Sequence, residues 1–428
     1  MGSGSGSPTG STGRAVTSRP RPGGRSWRRR TTDGPTSPTG RTSGRSSTAT
    51  SRWRGIWRCR PRSSHRWSPR CARRGLPAGS RIVLEKPFGE DLDGARELNA
   101  RLAELVPEQA VFRVDHFLAM TTVQNVLGSR LANRVLEPLW NSTHIAEVEI
   151  VWDESLALEG RAGYYDRVGA LKDMVQNHLL QVLCLVAMEP PVALGERDLR
   201  DRKVDVLRSV RLLTEYDVVH RTRRARYTAG RIADRDVPSY TDEEGVDPGR
   251  GTETFAEVEL ELDNWRWVGT TFRLRSGKGL RADRKEVAVR FRQVPHLPFG
   301  HTGEVEPNVL RFGLEPEGLT LDLMGTGARA GHLTELEPAE LPAYGRLLLD
   351  VLRGDPALSI RGDEAEEAWR VLTPVLTAWE RDLVPLEEYP AGSDGPAPRH
   401  AYGPGPVTRE APLHEESVLG TAADDGRS

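Results

Sequence analysis

Three scarcities narrow the possibilities first. Cysteine occurs only at Cys59, Cys71 and Cys184, at spacings that suit neither a disulfide framework nor a cysteine-based metal site. Apolar runs are short: none reaches the ~20 residues a membrane span needs, and no apolar stretch follows the early arginines as a secretory leader requires. The expectation is a soluble, cytoplasmic protein with no membrane partner. Lysine is the third scarcity, with five (Lys86, Lys172, Lys203, Lys278 and Lys285) against 55 arginines. Where arginine serves for plain surface charge, a surviving lysine marks a place that wants a compact point charge instead of a planar fork.

A fourth absence is local. Residues 1–80 hold 18 arginines and one acid, Asp33, with no lysine or glutamate, while the rest of the chain carries 42 basic and 60 acidic groups. The near-zero overall charge hides two unlike parts. Trp27, Trp53, Trp57 and Trp67 are scattered among the arginines with the period of neither helix nor strand. Such a segment cannot bury enough apolar surface to offset its ordering entropy, so residues 1–78 are expected to be disordered. A nucleic-acid arm would use lysine as well, so nucleic acid is not an expected partner, and no amphipathic period supports a transit peptide. The composition fits a GC-rich gene read in the wrong frame, with a change of texture near Leu76.

Periodic sequence begins at Arg81. RIVLEKPFG reads as a buried strand running into a turn, residues 91–105 have helical apolar spacing, and VFRVDHF reads as a second strand. Strand, helix and strand in this order suit a parallel sheet. Residues 119–136 read as a helix and EVEIVWDE (147–154) as a strand. From Leu171 the apolar residues Leu171, Val175, Leu179, Val182, Leu183 and Val186 share one helical face. Asp173, Gln176, Asn177 and Gln181 fall on the opposite arc, with His178 at its border. A helix that is apolar on one side and neutral-polar on the other lines something other than bulk water. Further on, 255–263, 265–277, 286–293, VLRFGLEP and LTLDLMG alternate at period two, as antiparallel strands covered on one side do. Helices at 344–352 and 364–383 close the domain. Residues 391–428 read as a flexible tail.

The candidate chemistry lies at strand ends and on that helix. Asp115 and His116 end one strand, and His178 lines the helix's polar side. Carboxylate beside imidazole is an acid–base pair, the acid fixing the tautomer and the imidazole removing a proton. Lys86 and Lys278 stand at turns beside strand ends, where sites are commonly built. With Glu154 and Asp173 they describe a cleft for a polyhydroxylated, anionic small molecule. No HxxxH or Cys/His spacing points to a metal.

Eight runs resemble the glucose-6-phosphate dehydrogenase family, in family order over residues 81–396. They are EKPFG (85–89), RVDHFL (113–118), DESLALEGRAGYYD (153–166), DMVQNHLLQVLCLVAME (173–189), FRLRSGKGL (272–280), AYGRLLLDVLRGD (343–355), RGDEAEEAW (361–369) and YPAGS (389–393). The resemblance implies an α+β fold: a dinucleotide-binding α/β domain, of which residues 79–118 are the C-terminal remnant, followed by a substrate domain with a mostly antiparallel sheet at 119–390. It implies oxidation of glucose 6-phosphate at C1 with NADP, in a homodimer or homotetramer. By the same resemblance His178 is the base and Asp115 orients it. His116 meets the substrate phosphate, Glu154 and Asp173 hold sugar hydroxyls, and Lys278 contacts the sugar. Lys86 bridges substrate and nicotinamide, and a further cation falls at Arg284 or Lys285.

Two departures stand out. The family's phosphate-binding stretch reads DHYLGK where this chain reads DHFLAM, so Phe117 lacks a phenol and Met120 replaces a lysine. A lost charged hydrogen bond costs roughly 1.5–3 kcal/mol, which predicts weak discrimination between a phosphorylated and a free hexose. Nothing in residues 1–80 reads as the strand, glycine-rich turn and helix that meet NADP phosphates, which predicts impaired cofactor binding. The alternatives are an inactive homologue that keeps oligomerisation or sugar binding, and a dehydrogenase for another hexose.

Overall fold

Strands of two textures build two sheets. The computed structural model describes residues 56–59, 76–77, 79–296, 306–324, 329–334 and 342–397. Ile56–Cys59 (β1), Arg81–Glu85 (β2) and Val111–Val114 (β3) pair in parallel in that order. Leu92–Ala103 (α1) joins β2 to β3. Asp91 caps its first turn by accepting the Gly94 N–H at 2.7 Å. The strand, helix and strand expected from Arg81 onward are therefore present.

β1 departs from the expectation for residues 1–78. Its backbone fills one edge of β2, whose N–H and C=O groups would otherwise lack partners. Ile82 and Leu84, both buried, thus sit in a middle strand rather than at an open edge. A four-residue strand is too short to show a period among arginines. Residues 1–55, 60–75 and 78 of the segment expected to be disordered lie outside the described residues, as does the tail from 398 onward.

Thr121–Ala132 (α2) leads to Ile145–Asp153 (β4). Leu171–Leu179 is π-helical and runs on into Leu180–Ala187 (α3). Two helices that the arginine-rich sequence concealed follow, Glu196–Ser209 (α4) and Glu215–Arg221 (α5). Then come Thr222–Thr228 (β5), the small hairpin Gly230–Ile232 (β6) and Arg235–Val237 (β7), and Phe255–Glu261 (β8). Thr271–Gly277 (β9), Arg284–Phe291 (β10), Val309–Leu314 (β11), Glu317–Met324 (β12) and Arg329–Thr334 (β13) succeed them. Ala343–Arg353 (α6), Gly362–Glu380 (α7) and Leu386–Pro390 (β14) complete the order.

The large sheet runs β13–β12–β11–β10–β4–β9–β8–β5–β14. Only β4–β9 and β5–β14 pair in parallel, so the mostly antiparallel sheet is as expected. Val148, Ile150, Val258, Leu260, Phe272, Leu274, Val287 and Val289 share one core with Val175, Leu179, Val182 and Val186 of the central helix. On the alternate positions Arg273 bridges Glu147, Glu149 and Glu259, and Arg311 bridges Glu286 and Asp322. Period two separates the two sets.

The strand expected from 265 begins only at Thr271. Trp267 is fully buried in the preceding turn, its indole N–H donating to Ala187 O at 2.7 Å. Residues 391–397, expected to be loose, are held: Gly392 N–H donates to Gly279 O, and Arg223 reaches Ala397 O.

Candidate active site

Two pairs of parallel strands deliver four of the expected residues to one cleft of about 550 Å³ and a fifth, Asp115, directly behind it. β2 and β3 run parallel with Glu85 opposite Val114. The chain leaves both at the same edge, as Lys86 from one and as Asp115 and His116 from the other. β4 and β9 run parallel with Asp153 opposite Gly277. Glu154 and Lys278 therefore emerge side by side, with carboxylate and ammonium 2.5 Å apart. The carboxyl edge of parallel strands is where such sheets present ligand sites. Gly89 closes the turn after Lys86, with φ of 93° and no room for a Cβ, which would lie 2.5 Å from the Ala95 nitrogen.

The third wall is the π-helical stretch. In that register the backbone bonds span five residues, so positions five apart approach one another. Asp173 and His178 are five apart. An α-helical register would separate them by roughly 140°, yet here both reach the same ammonium. Lys86 Nζ donates to Asp173 O at 2.8 Å, to Asp173 Oδ1 at 3.0 Å and to His178 Nε2 at 2.9 Å. Glu253 anchors the start of the stretch, its carboxylate accepting the Leu171 N–H at 3.0 Å. Burial pushes that carboxyl up to about 7.

Behind His178 lies Asp115. Its Oδ1 accepts the Phe117 N–H at 3.0 Å and the imidazole Nδ1–H at 2.6 Å, and both side chains are 2% exposed. That contact assigns the ring proton to Nδ1 and leaves the Nε2 lone pair facing the cleft. Burial alone would raise the Asp115 carboxyl. The His178 imidazole, by charge and by hydrogen bond, outweighs it with help from His116 and the Phe117 N–H, and holds it at about 2. For Asp173 burial also pushes up, but Lys86, His178 and Lys278 prevail and its carboxyl lies below the usual range. His116 goes the other way. Burial first, then the charges on His178 and Lys86, press its imidazole down to about 4 against the pull of Asp115 and Asp173. It is neutral at pH 7.

Lys86, His116, Glu154, Asp173, His178 and Lys278 all line the cleft, with Asp115 directly behind. Lys285 does not line it. It pairs across strands with Trp152, over whose ring it lies at 5.0 Å, and is held by Asp283 and Glu315. Arg284, one residue earlier, turns to the charged side of the sheet and binds Glu149 and Glu286. Met120 does not line the cleft either; it packs against the main core.

The fold also assembles groups that the sequence reading left without a role. The Phe117 ring stacks on the His178 imidazole at 4.1 Å, and Tyr344 stacks on His116 at 5.5 Å. Tyr164 donates its hydroxyl to Asp173 Oδ1 at 3.3 Å, and Arg161 lines the same space. Arg161, Tyr164 and Tyr344 stand in DESLALEGRAGYYD and AYGRLLLDVLRGD, so the signal was present in runs already singled out.

Asp115, His116 and His178 each offer a ligand atom within 4.8 Å of the others, a spacing that could hold a metal ion. Both nitrogens of His178 are already engaged, one by the Lys86 ammonium. A cation at Nε2 would meet that charge at contact distance, so the arrangement suits proton transfer better than coordination.

Comparison with known proteins bears on the same residues. The family model described as "Glucose-6-phosphate dehydrogenase, NAD binding domain" matches residues 68–125, and the one described as "Glucose-6-phosphate dehydrogenase, C-terminal domain" matches residues 127–403. Glucose-6-phosphate 1-dehydrogenase of Treponema pallidum is 45% identical over 331 residues, which cover 74% of this chain and 64% of that protein's length. The crystal structure of glucose-6-phosphate 1-dehydrogenase from Mycobacterium avium superposes with a TM-score of 0.68 at 37% identity, covering 77% of this chain and 69% of that one. A glucose-6-phosphate dehydrogenase in complex with glucose 6-phosphate gives 0.66 at 35%, covering 74% and 67%. Two family descriptions in chain order, supported by both sequence and fold, leave one assignment: the chain belongs to the glucose-6-phosphate dehydrogenase family.

Proposed function

We propose that this chain oxidises glucose 6-phosphate at C1 to the lactone, with NADP as acceptor. The observation that carries the reading is His178. Its Nδ1–H is held by a buried carboxylate at 2.6 Å, and its Nε2 faces a cleft lined by hydroxyl-binding groups. The C1 hydroxyl enters at Nε2, displacing the Lys86 ammonium, and gives up its proton there as the C1 carbonyl forms. Asp115 stabilises the imidazolium that results. Asp173, Glu154 and Lys278 hold the sugar hydroxyls, and the Phe117 ring, itself packed on Trp152, stacks on the imidazole and fixes its plane.

The described residues fit the nicotinamide end of a dinucleotide: Glu85, Lys86 and Pro87 line the cleft at the carboxyl end of β2. They include no glycine-rich turn for its pyrophosphate. When bound, the dinucleotide supplies the hydride acceptor. Phosphate-ester recognition through His116 is supported less well, because a neutral imidazole offers one hydrogen bond and no charge.

The test is NADPH formation by the full chain with glucose 6-phosphate and with glucose, alongside calorimetric binding of each ligand. Turnover on the phosphate ester supports the reading. Sugar-phosphate binding without NADP binding or turnover would support the inactive-homologue reading instead, which the sequence of residues 1–80 favours.

A further inference from the structure

The cleft contains a cation that the reading above leaves idle. Lys278 is held by Glu154 and Lys86 by Asp173 and His178, while His116 is neutral at pH 7. Arg161 is different: among the described residues its guanidinium has no carboxylate partner, although it lines the cleft and is exposed. The nearest acids along the chain are taken. Glu159 binds Arg235, and Asp166 binds Arg250 and the Tyr240 hydroxyl at 2.8 Å. The base of the side chain is nonetheless firmly placed. Arg161 N–H donates to Leu158 O at 3.1 Å, and its own carbonyl accepts from Tyr164 and Tyr165 at 3.2 and 3.1 Å. Leu158 and Tyr165 are buried. An exposed fork on a fixed stem, in a cleft whose other cations are compensated, is poised for an anion.

We infer that Arg161 is the residue that binds the phosphate oxyanion of the ligand and so sets its specificity. The inference rests on the dehydrogenase reading and supplies the charge that Met120 does not. A planar guanidinium can grip two phosphate oxygens at once, which an ammonium cannot. The phosphate can belong to the sugar ester or to the dinucleotide; the chemistry is the same, and the test separates them.

The experiment is calorimetric titration of the full-length chain and of Arg161→Gln and Arg161→Lys, each with glucose 6-phosphate, glucose and NADP. Because Arg161 is exposed, both variants should keep the wild-type melting temperature. Arg161→Gln should weaken glucose 6-phosphate about ten-fold or more, with glucose unchanged and Arg161→Lys between the two. A loss confined to NADP instead assigns the residue to the dinucleotide phosphate. Wild-type affinities for both phosphate ligands that survive Arg161→Gln overturn the assignment alone. A wild-type chain that binds neither ligand overturns the dehydrogenase reading, and this inference with it.

Discussion

Two concave regions of the molecule carry the same kinds of residue and differ in what those residues hold. Besides the 550 Å³ cleft there is a larger depression of about 820 Å³, lined by Arg130, Glu137, Glu189, Trp265 and Arg266 among others. Its buried Arg130 donates to Leu185 O, Val186 O and Met188 O at 3.2, 2.9 and 3.0 Å, capping the end of α3, and pairs with Glu137. Arg266 is tied to Glu137 and Glu189. Most of Arg130's partners are backbone carbonyls, which neither titrate nor move. In the cleft, Lys86 leans on a carboxylate and on the lone pair of an imidazole. Concavity, charge and carboxylate partners are common to both regions; of the two, the cleft alone is lined by imidazoles. One region is a helix terminus being satisfied, and the other holds the proposed base.

Substitutions should therefore fail in opposite ways. Arg130→Leu leaves carbonyls unpaired and should cost about 3–5 kcal/mol of stability, while kcat of the folded fraction stays within about two-fold. Chemical denaturation with parallel kinetics measures both, and a folded but inactive variant would break the contrast. His178→Asn is the converse. It should lower kcat of the folded fraction by about 10² or more, far beyond the two-fold limit set for Arg130→Leu; an unaltered kcat with a raised KM would make His178 a binding residue only.

Acid should reach the cleft in two steps. His116, at about 4 when folded against 6.5 unperturbed, leaves the unfolded chain holding more protons between those values, so stability falls as pH drops from about 6.5 to 4. Asp115, held at about 2 against 3.8, adds a second loss from about pH 4 down to 2. His116→Gln should flatten the first step and leave the second, as read by melting temperature across pH. An unchanged slope between pH 6.5 and 4 would mean that the imidazole titrates as it does in water.

Smaller effects sharpen the boundary of the cleft. Met120→Lys should raise kcat/KM for glucose 6-phosphate by no more than about ten-fold, the worth of one charged hydrogen bond, because Met120 packs against the core instead of lining the cleft. Lys285→Ala should change kcat/KM by less than about two-fold. A larger loss on removing Lys285 would show that this ammonium swings from Asp283 and Glu315 into the cleft when substrate binds.

How much of this was legible depended on which interactions decide each feature. Strands 81–85 and 111–114, the alternating strands of the large sheet and the helix from Leu171 follow from apolar period, which is written residue by residue. Lys86, Asp115, His116, Glu154 and Lys278 could be picked out because each ends or follows such a strand, and a strand end presents its next residue at the sheet's edge. The helical turns of α4 and α5 were hidden because arginine serves on both polar and half-buried positions, so their period is blurred.

The sequence by itself therefore determined the kinds of element, their order and the residues available at their ends. Only the tertiary structure decided three things. It chose a π register for Leu171–Leu179, which brings Asp173 and His178 to one ammonium; helix period alone separates them, and the register depends on what the helix packs against and on how Glu253 anchors its start. It chose the side of β10 to which each of two neighbouring cations turns, sending Arg284 to the charged face and Lys285 to Trp152, since adjacent residues of a strand point to opposite faces. Among the described residues it also left Arg161 without a carboxylate while pairing the acids beside it elsewhere, a property of long-range contacts that no local pattern records.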